Sequence, residues 1–311
     1  MVVYTALGLL ALIVIASVTV YICYARDMDV TRTRLASLPT ETYTSQYGEI
    51  EYSLIGKGPV VLVSHGVTGG VDQGITITGS FVSSGEDYRF LYVSRFGYLK
   101  SSAPPNDASA RLQAAAYKDL LDHLGIDQVF VFGNSAGGPS AMWFAIDFPE
   151  RTKGLILLSS AAPTSGPPPA IPPRLVFEND FIYWAVVKVA PDTLFSILLP
   201  KDILSTLTTE EKASLLKNAF MASLPVSERT EGINFDNYVS TPSVNNIPFE
   251  QIKVPTLILQ AVDDPRENEG GHELAERIAD SKFVDLTGGH FLLRQEQRVQ
   301  TEIAAFIAKH Q

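Results

Sequence analysis

The sequence has a single cysteine, Cys23, and no run of Lys or Arg. One thiol cannot close an intramolecular disulfide, and it cannot by itself supply the thiolate cluster of a structural zinc site. The formal net charge of -10 at pH 7 makes a nucleic-acid backbone an unfavourable partner. We therefore expect no disulfide scaffold, no metal site and no nucleic-acid partner.

Charged side chains are also missing from residues 2–24, which are mostly Leu, Ile, Val and Ala. As a helix this stretch would be about 35 Å long, enough to cross the roughly 30 Å hydrocarbon core of a bilayer. No Lys or Arg precedes Arg26, whereas a cleaved signal peptide begins with a basic region. The bulky Ile22 argues against Cys23 as a lipid-bearing residue. We predict a transmembrane anchor over 1–25, with a buried structural helix as the alternative.

A polar tether is predicted to follow the anchor, over residues 26–40. It contains Arg26, Arg32 and Arg34, while no basic residue stands before the anchor. Basic residues favour the cytoplasmic side of a membrane span. The pattern predicts a single-pass membrane protein whose folded domain lies in the cytoplasm.

Apolar strands and helices alternate through much of the remaining chain, and 46% of all residues are hydrophobic. Near-continuous apolar strands separated by helices indicate an α/β fold with a mostly parallel sheet covered on both faces. Strands are predicted at 43–46, 50–55, 59–63, 88–94, 128–132, 154–158, 256–260 and 283–286. Helices are predicted at 107–124, 136–148 and 273–278 and after Phe291.

The alternation stops over residues 162–252, which divide a core domain into 41–161 and 253–311. This insertion begins with a Pro-rich stretch at 163–173, and Thr208 and Glu211 have the spacing of a helix capping box. Part of it is too apolar to suit an exposed surface, and should face the core domain, a binding site or a bilayer. These apolar residues are Phe181, Ile182, Tyr183, Trp184, Val186 and Val187.

A candidate nucleophile follows the predicted strand at 128–132. Ser135 is the serine of a G-x-S-x-G motif whose glycines are Gly133 and Gly137. A nucleophile on a sharp strand-to-helix turn requires small neighbours two residues away on either side. The helix that begins here also directs its free N–H groups towards any oxyanion formed on Ser135.

A second motif, His65-Gly66, ends the earlier apolar strand at 59–63. With these two motifs the sequence resembles the α/β-hydrolase family from about residue 41 to the C-terminus. The resemblance implies an oxyanion hole made by the backbone N–H groups of Val67 and Ala136. It also implies that His65 is a structural residue of its turn, because the family's base comes last in the chain.

The resemblance implies the order serine, acid, histidine for the remaining site residues. Family spacing after the strand at 256–260 favours Asp264 as the acid, with Asp263 as an alternative one position away. His290 follows Gly288 and Gly289 after the last short strand and resembles the family's histidine loop. We predict Ser135, Asp264 and His290 as a catalytic triad.

The resemblance implies hydrolysis of a small-molecule carboxylic ester through an acyl-enzyme, without a metal or organic cofactor. A serine at position 135 argues against the dehalogenases and epoxide hydrolases of the family, which need a carboxylate nucleophile. Two alternatives stay open. One is a carbon–carbon bond hydrolase of the meta-cleavage-product type, and the other is a hydrolase-like ligand sensor. The insertion at 162–252 is then the lid that shapes the substrate pocket.

Overall fold

An eight-stranded sheet forms the centre of the protein. The computed structural model describes residues 2–82, 87–103, 105–164, 174–266 and 270–311. The strands are β1 (Glu41–Ser45), β2 (Gly48–Gly56), β3 (Val60–Ser64), β4 (Arg89–Val93), β5 (Val129–Asn134), β6 (Thr152–Leu158), β7 (Thr256–Ala261) and β8 (Ser281–Leu286). Their order is β1-β2-β4-β3-β5-β6-β7-β8, with β2 antiparallel to both neighbours and the other pairs parallel. The predicted α/β fold with a mostly parallel sheet is confirmed.

Helices cover both faces of the sheet because successive strand residues point to opposite sides. In β5, Val129 and Val131 belong to one apolar cluster, and Phe130 and Phe132 belong to the other. The first cluster packs under α3 (Ala110–His123), α4 (Gly138–Asp147) and α11 (Gly270–Arg277). The second packs under α2 (Val71–Phe81) and α12 (Glu296–His310).

Helix α2 is absent from the sequence predictions. Its sequence, VDQGITITGSF, is rich in β-branched residues and glycine, which lower helix propensity. Val71 and Thr78 are buried, and the hydroxyls of Thr78 and Tyr92 lie 2.8 Å apart. The helix therefore depends on packing against the sheet rather than on local preference.

The lid lies between β6 and β7 and consists of short helices. They are α5 (Arg174–Glu178), α6 (Asp180–Val189), α7 (Pro191–Leu198), α8 (Lys201–Thr206), α9 (Thr209–Leu215) and α10 (Thr230–Phe235). Thr208 and Glu211 form the expected capping box at the start of α9. Pro191 begins α7, which is bent by 88° from α6. Most of the Pro-rich stretch at 163–173 lies outside the described residues.

The N-terminal helix α1 (Val2–Ala36) is longer than the predicted anchor. The prediction of a tether over 26–40 is wrong up to Ala36, because this segment continues the helix. No Gly or Pro interrupts the chain between Arg26 and Leu38. Residues 4–23 are exposed and uncharged, and α1 is long and apolar enough to cross a membrane. A signal sequence near the N-terminus can have the same length and apolar composition.

The second half of α1 packs against the lid. Met28 is only 2% exposed, and the ring of Tyr24 lies 5.3 Å from Phe181 and 5.7 Å from Trp184, between centroids. The indole N–H of Trp184 donates to Asp27 at 2.8 Å. Trp184, one of the apolar lid residues noted from the sequence, therefore contacts α1.

The end of α1 also contacts the core domain. Arg34 forms an ion pair with Asp72 of α2 at 2.9 Å and donates to the carbonyl of Ala222 in the lid at 2.8 Å. Residues 24–36 are thus part of the folded domain.

We expect a protein that lacks residues 1–34 to be less stable than one that lacks residues 1–20. The longer deletion removes the buried Met28, whose burial contributes about 1.5–3 kcal/mol to the free energy of unfolding. It also removes the ion pair between Arg34 and Asp72. Its melting temperature should fall by roughly 5 °C or more. The shorter deletion keeps every contact described above and serves as the matched control. Equal melting temperatures for the two proteins would contradict this assignment.

Candidate active site

Ser135 lies on a tight turn between β5 and α4. Its φ of 48° is in the left-handed region, which a serine adopts only under strain. Residues Ser135–Gly137 form a single 3-10 turn before α4 begins. This is the strand-turn-helix geometry that the G-x-S-x-G motif predicts.

Steric contacts explain both glycines of this motif. A Cβ atom on Gly133 would lie 2.7 Å from the Cβ of Ala141 in α4. A Cβ atom on Gly137 would collide with the carbonyl oxygens of Ser64 and His65 at the end of β3. The turn can therefore close against both neighbouring elements only when these side chains are absent.

His290 connects Ser135 to Asp264 through two hydrogen bonds. Nε2 of His290 lies 2.9 Å from Ser135 Oγ, and Nδ1 lies 2.7 Å from Asp264 Oδ2. With the carboxylate accepting from Nδ1–H, the tautomer assigned by this network leaves Nε2 free to accept a proton from Ser135. The three side chains meet although the chain separates them by up to 155 residues.

The carboxyl group of Asp264 is 1% exposed and is nevertheless held in its charged form. Burial raises the pKa of Asp264, but the charge and hydrogen bond of His290, the backbone N–H of Arg266 and the charge of Arg266 lower it. The net pKa lies below its usual value. A charged acid at this position can stabilise the imidazolium that forms when His290 takes a proton.

Asp263 has a different environment from Asp264. Its two oxygens accept hydrogen bonds from the backbone N–H groups of Gly288 and Gly289, at 3.1 and 3.0 Å. These glycines have φ values of 98° and 63° and precede His290. Asp263 thus fixes the histidine loop, while Asp264 contacts the histidine itself.

The loop after β3 contains Val67, the first candidate oxyanion donor. Within the described part of the chain, the N–H of Val67 makes no hydrogen bond. Gln73 holds this loop, because its Oε1 accepts from the N–H of Gly66 at 2.7 Å and its Nε2 donates to the carbonyl of Val67 at 3.2 Å. Ala136 lies in the first turn after β5, where N–H groups have no intrahelical acceptor.

His65 belongs to the support of this loop. It is 1% exposed, accepts from the backbone N–H of Arg95 at 3.0 Å, and places Nδ1 2.7 Å from the carbonyl of Gly66. Burial, followed by the nearby Arg95 charge, lowers the pKa of His65 well below its usual value. The ring is therefore neutral at pH 7 and donates from Nδ1.

Two buried ion pairs that the sequence analysis did not identify join the lid to the core domain. Arg229 of the lid pairs with Asp72 at 2.9 Å and donates to the carbonyl of Gly69. Asp236 of the lid accepts from Arg95 and from the Tyr98 hydroxyl, and Arg95 also donates to the carbonyl of Ala136 at 3.3 Å. Both sets of contacts reach the segments that carry Val67 and Ala136.

Ser135 and His290 open into a cavity of about 560 Å³. Its wall is mainly apolar, and the lid contributes Phe177, Tyr183, Val186, Leu194, Ile197 and Phe220 to it. Among the described residues, no cluster of three or more His, Cys, Asp or Glu side chains could hold a metal ion. The arrangement can therefore support nucleophilic attack by an activated serine in a largely apolar pocket.

Comparison with known proteins agrees with this geometry at the level of family. A family model described as alpha/beta hydrolase fold matches residues 59–296. The chain therefore belongs to the α/β-hydrolase family. It is 30% identical over 237 residues to the uncharacterized hydrolase YcgS of Bacillus subtilis, an alignment that covers 72% of this chain and 81% of that protein.

Other relatives are similar over shorter segments or in fold. The chain is 38% identical over 107 residues to a 2-hydroxy-6-oxo-6-phenylhexa-2,4-dienoate hydrolase of Burkholderia cepacia, covering 33% of this chain and 37% of that protein. An alpha/beta hydrolase fold protein from Nakamurella multipartita superposes with a TM-score of 0.66 at 25% identity, covering 86% and 98% of the two chains. A bacterial membrane phospholipase A gives a TM-score of 0.63 at 20% identity and covers 97% of each chain. That match shows a shared fold that extends into α1.

The two aspartates are predicted to differ sharply when replaced. Asp264→Asn should lower turnover by about three to four orders of magnitude, because an amide no longer favours the required tautomer of His290. Asp263→Asn should lower turnover far less, because it affects only the loop that carries the histidine. Steady-state kinetics of the two variants test this ranking, and the reverse order would assign the acid to Asp263.

Proposed function

We propose that this α/β-hydrolase is a membrane-anchored serine hydrolase that cleaves a carboxylic ester of a small-molecule substrate. The observation that carries the proposal is the pair of hydrogen bonds through His290, at 2.9 Å to Ser135 and 2.7 Å to Asp264. In this proposal Ser135 is the nucleophile, His290 the base and Asp264 the acid. Val67 and Ala136 supply the oxyanion hole.

The proposed reaction has two halves. Ser135 Oγ attacks the acyl carbon while His290 Nε2 takes its proton, and the N–H groups of Val67 and Ala136 stabilise the tetrahedral oxyanion. The intermediate collapses, and the leaving alkoxide receives that proton from His290. Water then attacks the acyl-enzyme, again with His290 as base, and releases the carboxylic acid and free Ser135.

The walls of the cavity favour esters with an extended apolar portion. Lid side chains such as Phe177, Val186 and Ile197 would contact such a chain, and burial stabilises binding by roughly 25 cal/mol per Å² of apolar surface. The phospholipase A that shares this fold is a membrane protein, which adds lipid-like esters to the substrates worth testing. Neither a metal nor an organic cofactor has a part in the proposed steps.

A carbon–carbon bond hydrolase is the second candidate function. The partial identity with a 2-hydroxy-6-oxo-6-phenylhexa-2,4-dienoate hydrolase supports it, although the alignment covers only 37% of that protein. Turnover of a vinylogous diketone without turnover of esters would favour this candidate over the esterase.

The anchor and its orientation are parts of the same proposal. Retention of α1 is supported by the unbroken course of the helix from its apolar stretch into the fold, because cleavage after residue 25 would remove the contacts of Tyr24 with Phe181 and Trp184. Cytoplasmic placement depends on Arg26 and Arg32, since Arg34 already has a partner in the fold. Protease protection in sealed vesicles tests the orientation.

Ser135→Ala should abolish both ester hydrolysis and covalent labelling by a fluorophosphonate, while the melting temperature stays close to that of the wild type. His290→Ala should lower the rate of ester hydrolysis about as much as Ser135→Ala, because the members of a triad act as one unit. A short-chain nitrophenyl ester provides the assay. Labelling that persisted in the Ser135 variant would remove this serine from the role.

The same assay separates an enzyme from a ligand sensor. Steady turnover of the nitrophenyl ester indicates an esterase. One slow burst of nitrophenol without further turnover would indicate that the site serves binding, and would overturn the proposed function.

A further inference from the structure

The cavity has a polar end at the carboxyl ends of β6 and β7. Ser159, the first residue after β6, is 1% exposed and lines the cavity, yet its hydroxyl has no hydrogen-bond partner among the described residues. Buried polar atoms without a partner are rare in native proteins, because burial removes their hydrogen bonds to water.

The backbone places Ser159 beside the nucleophile. Its N–H donates to the carbonyl of Leu259 in β7 at 2.9 Å, and two residues later the N–H of Ala161 donates to the carbonyl of Ser135 at 2.9 Å. A group bound at Ser159 would therefore lie only a few carbon atoms from the acyl carbon attacked by Ser135.

Arg266 lies next to this place, in the loop after β7. Its backbone N–H donates to Asp264 Oδ1 at 2.9 Å, and its half-buried side chain lines the same cavity. The guanidinium Nε is buried without a partner, and within the described ranges the side chain makes no hydrogen bond or ion pair. The loop thus places in the cavity wall a guanidinium that has no hydrogen-bond or ion-pair partner within the described ranges.

The other arginines near the site already have acceptors. Arg294, at a different part of the cavity wall, forms a two-point ion pair with Glu211 at 2.7 and 2.8 Å. Arg95 and Arg229 are buried against Asp236 and Asp72. Arg266 is therefore the cavity-lining arginine with capacity to bind an anion.

A side chain of the lid adds an amide group to the wall of the same cavity. Asn237 lines the cavity, and its amide makes no hydrogen bond within the described part of the chain. A guanidinium, a hydroxyl and an amide N–H together supply donors that match a carboxylate, and arginine binds this group in two-point geometry.

We propose that Arg266, Ser159 and Asn237 form a subsite for a carboxylate carried by the substrate. This inference depends on the proposed ester hydrolysis at Ser135 and narrows its substrate class to amphiphilic esters. The carboxylate binds at the polar end, and the apolar portion extends along the lid side chains.

Paired substrates test the subsite in the full-length protein in detergent. The acyl arm compares mono-4-nitrophenyl adipate with the neutral primary amide of the same half-ester. The alcohol arm compares the hexanoyl ester of 4-hydroxybutyrate with that of 4-hydroxybutyramide. The wild type should prefer the charged member in at least one arm, which also identifies the half of the substrate that carries the carboxylate.

Arg266→Gln should lower the charged-to-neutral ratio of kcat/KM in that arm by about ten- to a hundred-fold, chiefly through KM, as expected for a lost hydrogen bond to a charged group. Ser159→Ala should lower the ratio several-fold. Arg294→Gln is the matched control, because it removes the same charge from a guanidinium that already has a partner, and it should leave the ratio nearly unchanged.

Three results would overturn the inference. The first is a wild type without preference for the charged member in either arm. The second is an unchanged ratio in Arg266→Gln. The third is an equal loss on both members with a shifted pH–rate profile, which would mean that Arg266 acts only through Asp264. Fluorophosphonate labelling of the wild type separates these failures from failure of the proposed function, because absence of labelling and turnover would remove both.

Discussion

The buried carboxylate of Asp72 holds together three parts of the chain that are distant in sequence. Arg34 reaches it from α1 and Arg229 from the lid, each at 2.9 Å, and Asp72 itself stands at the start of α2. Burial raises the pKa of this carboxyl, but the two guanidiniums outweigh burial and lower it. An isolated buried charge is costly, so the three segments must be in place together. Arg229 also donates to the carbonyl of Gly69, and so these ion pairs extend to the loop that carries Val67.

The base of the lid, where Arg229 and Asp236 contact the core domain, is therefore a fixed part of the structure. Asp236 of the lid forms a second buried ion pair with Arg95 of the core domain, and removing one partner of a buried ion pair costs about 3–5 kcal/mol. The ion pair between Glu211 and Arg294 at the lid's outer part is more exposed, and solvent screens pairs of this kind. The lid is thus held more strongly at its base than at this outer contact.

The site combines features that depend on this rigidity. A strained φ at Ser135 persists only when the surrounding structure determines it, and here the glycine contacts with β3 and α4 do so. The histidine loop is confined from two sides: Asp263 binds its backbone, and a Cβ atom on Gly289 would lie 2.7 Å from the carbonyl of Leu198 in the lid. The lid, the histidine loop and the turn at Ser135 therefore form one packed unit around the cavity.

The sequence by itself determined the alternating strands and helices and the sharp turn at Ser135, which follow from apolar periodicity and from small residues at fixed spacing. Asp264 and His290 were expected beside Ser135 because the sequence resembles the α/β-hydrolase family, and not from any local pattern. One position decides between Asp263 and Asp264, and only the three-dimensional course of their loop shows which carboxyl contacts His290. The second half of α1 looks like a polar tether because its buried side depends on a lid more than 140 residues away. The buried partners of Asp72 and Asp236 lie up to 157 residues along the chain, and no local pattern carries that information. Tertiary structure alone decided them, because a buried charge is tolerated only where folding brings its counter-charge into contact.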